Sequence, residues 1–147
     1  MTKEEWAQRF FEKDGFVKLA GIEILSVSEE RAIVRAKIDD RHRNANGSVQ
    51  GGMLYTVADF AFAVLANSIH PLTVTQGGHI SYIRAAVTDE ITATATETTR
   101  AGHNTVSEVI IRDHKDDVVC VCNFNGFVKD SPLAVDEKIN TEERENT

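Results

Sequence analysis

The spacing of hydrophobic positions changes period several times along the chain. Near the N-terminus Trp6, Phe10 and Phe11 fall close to helical spacing, behind Thr2 and Glu5, which fit a capping box. A short amphipathic helix is predicted there, a packing element or lid ending near Asp14-Gly15. Phe16 to Leu19 add a further turn, with Gly21 as the break. GIEILSVS (21–28) and RAIVRAKI (31–38) are apolar and β-branched, separated by a polar turn at Glu29-Glu30. They read as a hairpin. DDRHRNANGS (39–48), rich in Asp, Asn and Gly, reads as a loop.

Gly51-Gly52 then opens a segment in which almost every residue is apolar. From Met53 to Ala66 it runs MLYTVADFAFAVLA, a helix expected to end near Asn67. Period-two patterns follow. LTVTQGGHISYIR (72–84) is broken by Gly77-Gly78, which predicts a bulge or a close backbone approach. EITATATETTR (90–100), TVSEVIIRD (105–113) and DVVCVCNFNGFVK (117–129) complete a meander. The order of helix, two strands, one long helix and four strands predicts an α+β fold whose sheet buries one face against the long helix. Residues 1–20 form an N-terminal helical segment, 21–129 one domain, and 130–147 a polar tail expected to fray.

Composition narrows the function. The 147 residues suit one core, and 41% apolar with 27% charged residues is ordinary for a globular domain. A net charge of −7 argues against a nucleic-acid binder. The charged N-terminus lacks the apolar core of a secretory leader, and no apolar run reaches the roughly 18 residues of a membrane span. Cys120 and Cys122 point to the same face of one strand and are too close for an unstrained disulfide. They read as reduced thiols of a cytoplasmic protein. The five histidines are scattered, and no metal-ligand spacing is present.

The candidate chemistry lies in the long helix. A helix apolar nearly all round is buried on nearly all sides, and it carries one acid, Asp59. A buried carboxylate is costly unless paired or hydrogen-bonded. Asp59 is therefore either a structural acid bonded to a backbone amide or basic group, or a catalytic carboxylate. Gly51 and Gly52 sit at the helix start, where N–H groups are free and partial charge is positive. Turn geometry would explain the pair equally well, but the same feature suits an oxyanion hole. Asp59 follows Gly51 by eight residues, or about 12 Å along the axis. One chain thus cannot bring both groups to one atom. If both act, the acid comes from a second subunit, and the site requires a homodimer.

Asn44, Gly47, Gln50-Gly51-Gly52 and Ala58-Asp59 together resemble the hot-dog-fold acyl-CoA thioesterases, closest to the phenylacetate-degradation (PaaI-type) group. FVKLAGIEILSVSEERAIVRAKI is similar to that family's entry segment and first hairpin. HISYIRAA (79–86) is similar to its post-helix strand. The resemblance covers roughly residues 14 to 128. It implies a sheet wrapped around the long helix, pairing into dimers and homotetramers, that hydrolyses an acyl-CoA. It implies no cofactor, CoA being part of substrate and product. Carried over, Asp59 would be nucleophile or general base. The Gly51 N–H would polarise the thioester carbonyl, and Asn44 would hold the attacking water or orient the acid. Gly52, Arg84, Gly102, His103 and Asn104 would contact the substrate. Gln50 stands where the family has a histidine; its amide can donate but cannot titrate near neutral pH. The acyl group is either aromatic or a medium straight chain. A non-catalytic acyl-CoA sensor on the same fold is the competing reading, favoured by Gln50 and opposed by Asp59. A hydratase lacks its acid-base pair.

Overall fold

The computed structural model describes residues 1–131. Helices α1 (Lys3–Phe11) and α2 (Gly15–Ala20) lead into strands β1 (Ile22–Val27) and β2 (Ala32–Lys37). Helix α3 (Gly51–Ile69) follows, then β3 (Thr73–Tyr82), β4 (Glu90–Ala101), β5 (Asn104–Asp113) and β6 (Val118–Val128). The strands form one six-stranded sheet in the order β1-β2-β4-β5-β6-β3. Every pairing is antiparallel. This is the expected α+β plan, with a sheet wrapped around one central helix. The tail expected over 130–147 lies, from residue 132 onward, outside the described residues.

Helix α3 packs against all six strands. Its buried side chains include Phe60, Phe62, Val64 and Leu65. Phe62 stacks on Phe124 of β6 at 5.7 Å, and Phe60 meets Phe11 of α1 edge-on at 5.2 Å. The capping box at Thr2 forms as predicted, and Trp6 and Ala7 join the core that α3 makes with the sheet. The N-terminal segment is therefore part of the same core rather than a layer apart.

The helix runs two residues beyond the predicted end, because the amide of Asn67 bonds within the protein instead of stopping the helix. Its Nδ2 donates to Ala63 O and Thr73 O, and its Oδ1 accepts from Thr73 N–H at 2.9 Å. At 19 residues and a mean hydropathy of 1.4, α3 is long and apolar enough to cross a membrane by length and composition, contrary to the sequence expectation. Most of it is buried inside the protein, as the core helix of the fold. One stripe is only partly covered: Gly52, Thr56, Asp59 and Ala63, at the spacing of a single helix face.

The break expected at Gly77-Gly78 is a β-bulge. Thr75 pairs with Gly126 and Gly77 with Asn125, so Gln76 is the extra residue. Side chains alternate in a strand, and an extra residue reverses the alternation. Thr73 and Thr75 before the bulge, and Gly78, Ile80 and Tyr82 after it, lie opposite the inward positions of β6 and so face the helix. At Gly78 a Cβ would stand 2.5 Å from both the Phe124 ring and the Tyr55 hydroxyl. Only glycine admits that approach. Gly78→Ala should lower stability by about 1–3 kcal/mol, the usual cost of overpacking. Equilibrium urea unfolding measures it.

Candidate active site

The loop before α3 sets the start of the site. Asn44 Oδ1 accepts from the N–H groups of Asn46 and Ser48, at 2.9 and 3.2 Å, and from the Ser48 hydroxyl. This shapes the 44–48 turn, and it leaves the Asn44 Nδ2 without an acceptor among the described residues. The Gln50 N–H then donates to His42 O, and α3 begins at Gly51.

Gln50 is the N-cap of α3. Its Oε1 accepts from the Met53 N–H at 3.0 Å, which leaves its Nε2 to donate elsewhere. This folded-back cap explains the second glycine. A Cβ on Gly52 would lie 2.7 Å from Gln50 Oε1. Among the described residues neither the Gly51 nor the Gly52 N–H has an acceptor. Three donors thus gather at one helix end: two backbone amides, reinforced by the positive end of the helix, and one neutral carboxamide. No formal charge is present in that first turn. Such a set suits an atom that becomes negative only during reaction.

Asp59 projects from the partly covered stripe two turns further on. Among the described residues neither a backbone amide nor a basic group meets it, as its structural reading required. The Thr75 hydroxyl donates to Asp59 Oδ1 at 2.9 Å, and Oδ2 has no protein partner among the described residues. Burial pushes the carboxyl pKa above its ordinary value. The Thr75 hydrogen bond opposes this, and the negative Asp14, the N-cap of α2, adds to it. An acid in these surroundings is a stronger base than a solvated aspartate.

Between α2 and the first two turns of α3 lies an open cavity of about 650 Å³. Phe16 and Leu19 form one wall, Met53 and Thr56 the other, and Gln50 and Gly52 stand at it too. Phe16 and Leu19 are 62% and 70% exposed, unusual for their kind. His42, buried at the cavity edge, accepts from Asp39 N–H through Nδ1, and its Nε2–H donates to Ala20 O at 2.7 Å. Both ring nitrogens are used, and the ring clips α2 to the loop. No group of three His, Cys, Asp or Glu side chains is placed to hold a metal among the described residues. Cys120 and Cys122 are buried free thiols, pushed by burial to about 11 and about 12, which unfits them for nucleophilic chemistry.

The structure brings Gln50, Gly51 and Gly52 together and sets Asp59 apart from them along the same helix. Arg84 follows β3 at the Gly51 end and sits 3.5 Å from Asp117. The turn at Gly102, His103 and Asn104 does not join them. Asn104 pairs with Phe127, which pairs with Val74, so that turn lies at the far end of β3 from Tyr82. His103 stacks on Phe127, and its Nδ1–H donates to Val128 O at 2.7 Å. Tyr55, Phe60 and Phe62 of α3 are chiefly core residues packed on Phe124 and Phe11. Sequence reasoning missed Thr75, Tyr82 and His42. The first two share the inward face only because of the bulge, and the third gives no sign of its bonds in its neighbours.

A family model described as a domain of unknown function (DUF4442) matches residues 4–128. The chain is 34% identical over 98 residues to the acyl-coenzyme A thioesterase PaaI of Escherichia coli K12, covering 65% of this chain and 70% of that one. It is 29% identical over 119 residues to the 1,4-dihydroxy-2-naphthoyl-CoA hydrolase of Listeria monocytogenes, covering 78% and 96%. The structure of the E. coli PaaI protein from the phenylacetic acid degradation operon matches with a TM-score of 0.81 at 24% identity, covering 89% and 99%.

Burial of Asp59 carries a consequence for stability. A carboxyl whose folded pKa is raised weakens the fold when charged: the penalty is full above the folded pKa and vanishes below the unfolded one. Asp59→Asn should therefore leave the protein at least as stable as wild type at pH 7, with Asn able to keep the Thr75 bond. The gap should close as pH falls from above the folded pKa toward the ordinary value of 3.8. Urea unfolding of both proteins across that range reads the sign.

Proposed function

The chain belongs to the DUF4442 family and to the PaaI-like acyl-CoA thioesterases of the hot-dog fold, and from that membership we propose that it hydrolyses an aromatic or medium-chain acyl-CoA at a site shared by two subunits. That it is a thioester hydrolase follows from its relatives. The finer reading rests on one observation: a half-buried, unpaired acid lies about 12 Å along α3 from a helix start with unfilled donors.

Two groups so placed act on one carbonyl only across a two-fold axis. The sheet supports such an axis. Strand β3 is an edge, and Val74, Tyr82, Ile83 and Val87 along and after it are exposed apolar residues. An edge strand of this kind is a template for pairing with another chain. Pairing β3 with its own copy, antiparallel, sets the Asp59 half of one subunit against the Gly51 half of the other. In that arrangement Gly51 and Gly52 hold the thioester oxygen. Asp59 of the partner subunit takes a proton from the attacking water and passes it to the leaving CoA sulfur, or attacks the carbonyl carbon to give an acyl anhydride that water then hydrolyses, water supplying the proton of the CoA thiol. Asn44 Nδ2 is available to hold that water, and Gln50 Nε2 to steady the carbonyl. The cavity beside Gln50 and Gly52, walled by Phe16, Leu19 and Met53, suits an apolar acyl group. Its volume accepts a ring or a medium straight chain.

Free-thiol release from a panel of aromatic and straight-chain acyl-CoAs tests this. Wild type should turn over, and Asp59→Asn should lose about a hundredfold or more, as for loss of a general base. Gln50→His should change turnover far less, since a donor remains. Activity should fall at acid pH, with a midpoint above that of an ordinary aspartate, as Asp59 becomes protonated. Sedimentation should give a dimer or a multiple of it. A folded wild type that binds acyl-CoA without cleaving it would make the chain a sensor, and a monomeric active enzyme would sink the shared site.

A further inference from the structure

The geometry points to Tyr82 as a positioning residue for the reaction proposed above, acting through the Gly51–Gly52 peptide. The inference rests on that reading of the helix start. The Tyr82 hydroxyl donates to Gly51 O at 3.0 Å. This carbonyl does not need the bond for its own satisfaction. In a regular helix it already accepts from the N–H four residues on, and a carbonyl oxygen takes two donors. The second donor does something else.

A peptide group is planar, so the Gly51 C=O and the Gly52 N–H are fixed in one plane and point in opposite directions. Holding the oxygen fixes the direction of the N–H. The N–H of this peptide, near the helix start, has no partner within the helix, so restraint on its direction comes only through the carbonyl side. The bond also polarises the group. Tyr82 O–H, the Gly51–Gly52 peptide and a substrate oxyanion form a chain in which each hydrogen bond strengthens the next, by about 10–30%. The Gly52 N–H is thereby the better donor as negative charge develops.

Tyr82 is also a firm support. It ends β3 opposite Cys120, and the residue after it, Ile83, donates its N–H to Val119 O at 2.8 Å. The fit at the helix is close: a Cβ at position 51 would stand 3.2 Å from the Tyr82 hydroxyl. Tyr82 as a residue is half-exposed, at 52%. Core packing therefore does not account for its place, whereas the hydroxyl bond does.

Tyr82→Phe keeps the ring and removes the donor. With an acyl-CoA that wild type hydrolyses, kcat should fall about tenfold, less than for outright loss of an oxyanion donor. KM should stay within about twofold, because the bond matters to the transition state and not to ground-state binding. The thermal midpoint should barely move. A purely structural role would show the reverse: a lower midpoint with kcat unchanged. If Tyr82→Phe fails to fold, 3-fluorotyrosine placed at position 82 alters the acidity of the hydroxyl and little else. A kcat that shifts with that acidity, at a pH where the phenol stays protonated, supports the inference. An unchanged kcat in either variant, or a change confined to KM, overturns it and leaves the thioesterase reading intact. A wild type that hydrolyses no acyl-CoA overturns both.

Discussion

Three side-chain clasps hold β3 along the length of α3, and the arrangement of the site follows from them. Asn67 bonds the backbone of Thr73 near the end of the helix, Asp59 takes the Thr75 hydroxyl at its middle, and Gly51 takes the Tyr82 hydroxyl at its start. Each such bond is worth only about 1 kcal/mol net. Their spacing matters more than their sum. Apolar packing between a helix and a sheet is non-directional and tolerates sliding, whereas three polar contacts at separate points fix the strand lengthwise. The strand so fixed is the outermost of the sheet, beyond β6.

The same strand therefore supports both chemical ends of α3. The acid end has a donor that steadies a carboxylate without neutralising it. The glycine end has a donor that steadies a carbonyl whose peptide partner faces outward. Between them the helix is close to inert, with Val57 and Ala58 fully buried. The charge distribution is also economical. The glycine end holds no ionisable group in its first turn, and the acid end holds Asp59 with the negative Asp14 near enough to be felt. Placing Gln50 at the cap keeps that neutrality at all pH values, where a histidine would not.

Much of this was legible in the chain. The nearly unbroken apolar run from Met53 to Ala66 demanded a covered helix, and β-branched period-two segments supplied its cover. The single acid in that run stood out because burying charge is costly, and the glycine pair stood out because of its place at a helix start. The end of α3 was not legible, since Asn67 is as often a stop as a link and its bonds to Thr73 exist only after folding. Nor were the clasps. Thr75 and Tyr82 stand an odd number of positions apart, so strict alternation puts them on opposite faces. The turn at Gly102 to Asn104 shows the same limit: within one subunit the register of β5 and β6 carries its residues to the end of β3 away from Gly51. Local composition describes a residue's capacities, and long-range register decides its company.

The bulge at Gln76 makes the segment after α3 sensitive to length in a way it is not to content. Gln76 is exposed and makes one long contact, to Asn125 at 3.5 Å, so its identity matters little. Its presence as a residue matters a great deal. Deleting it would restore simple alternation. The tether at Tyr82 would then turn to the outer face, and Ile80 with it, while the composition of the chain stayed almost unchanged. Insertions and deletions are usually thought of as loop events, absorbed where the backbone is free. Here one spare residue inside a strand acts as a phase setting, and drift in this stretch is open to letters and closed to gaps.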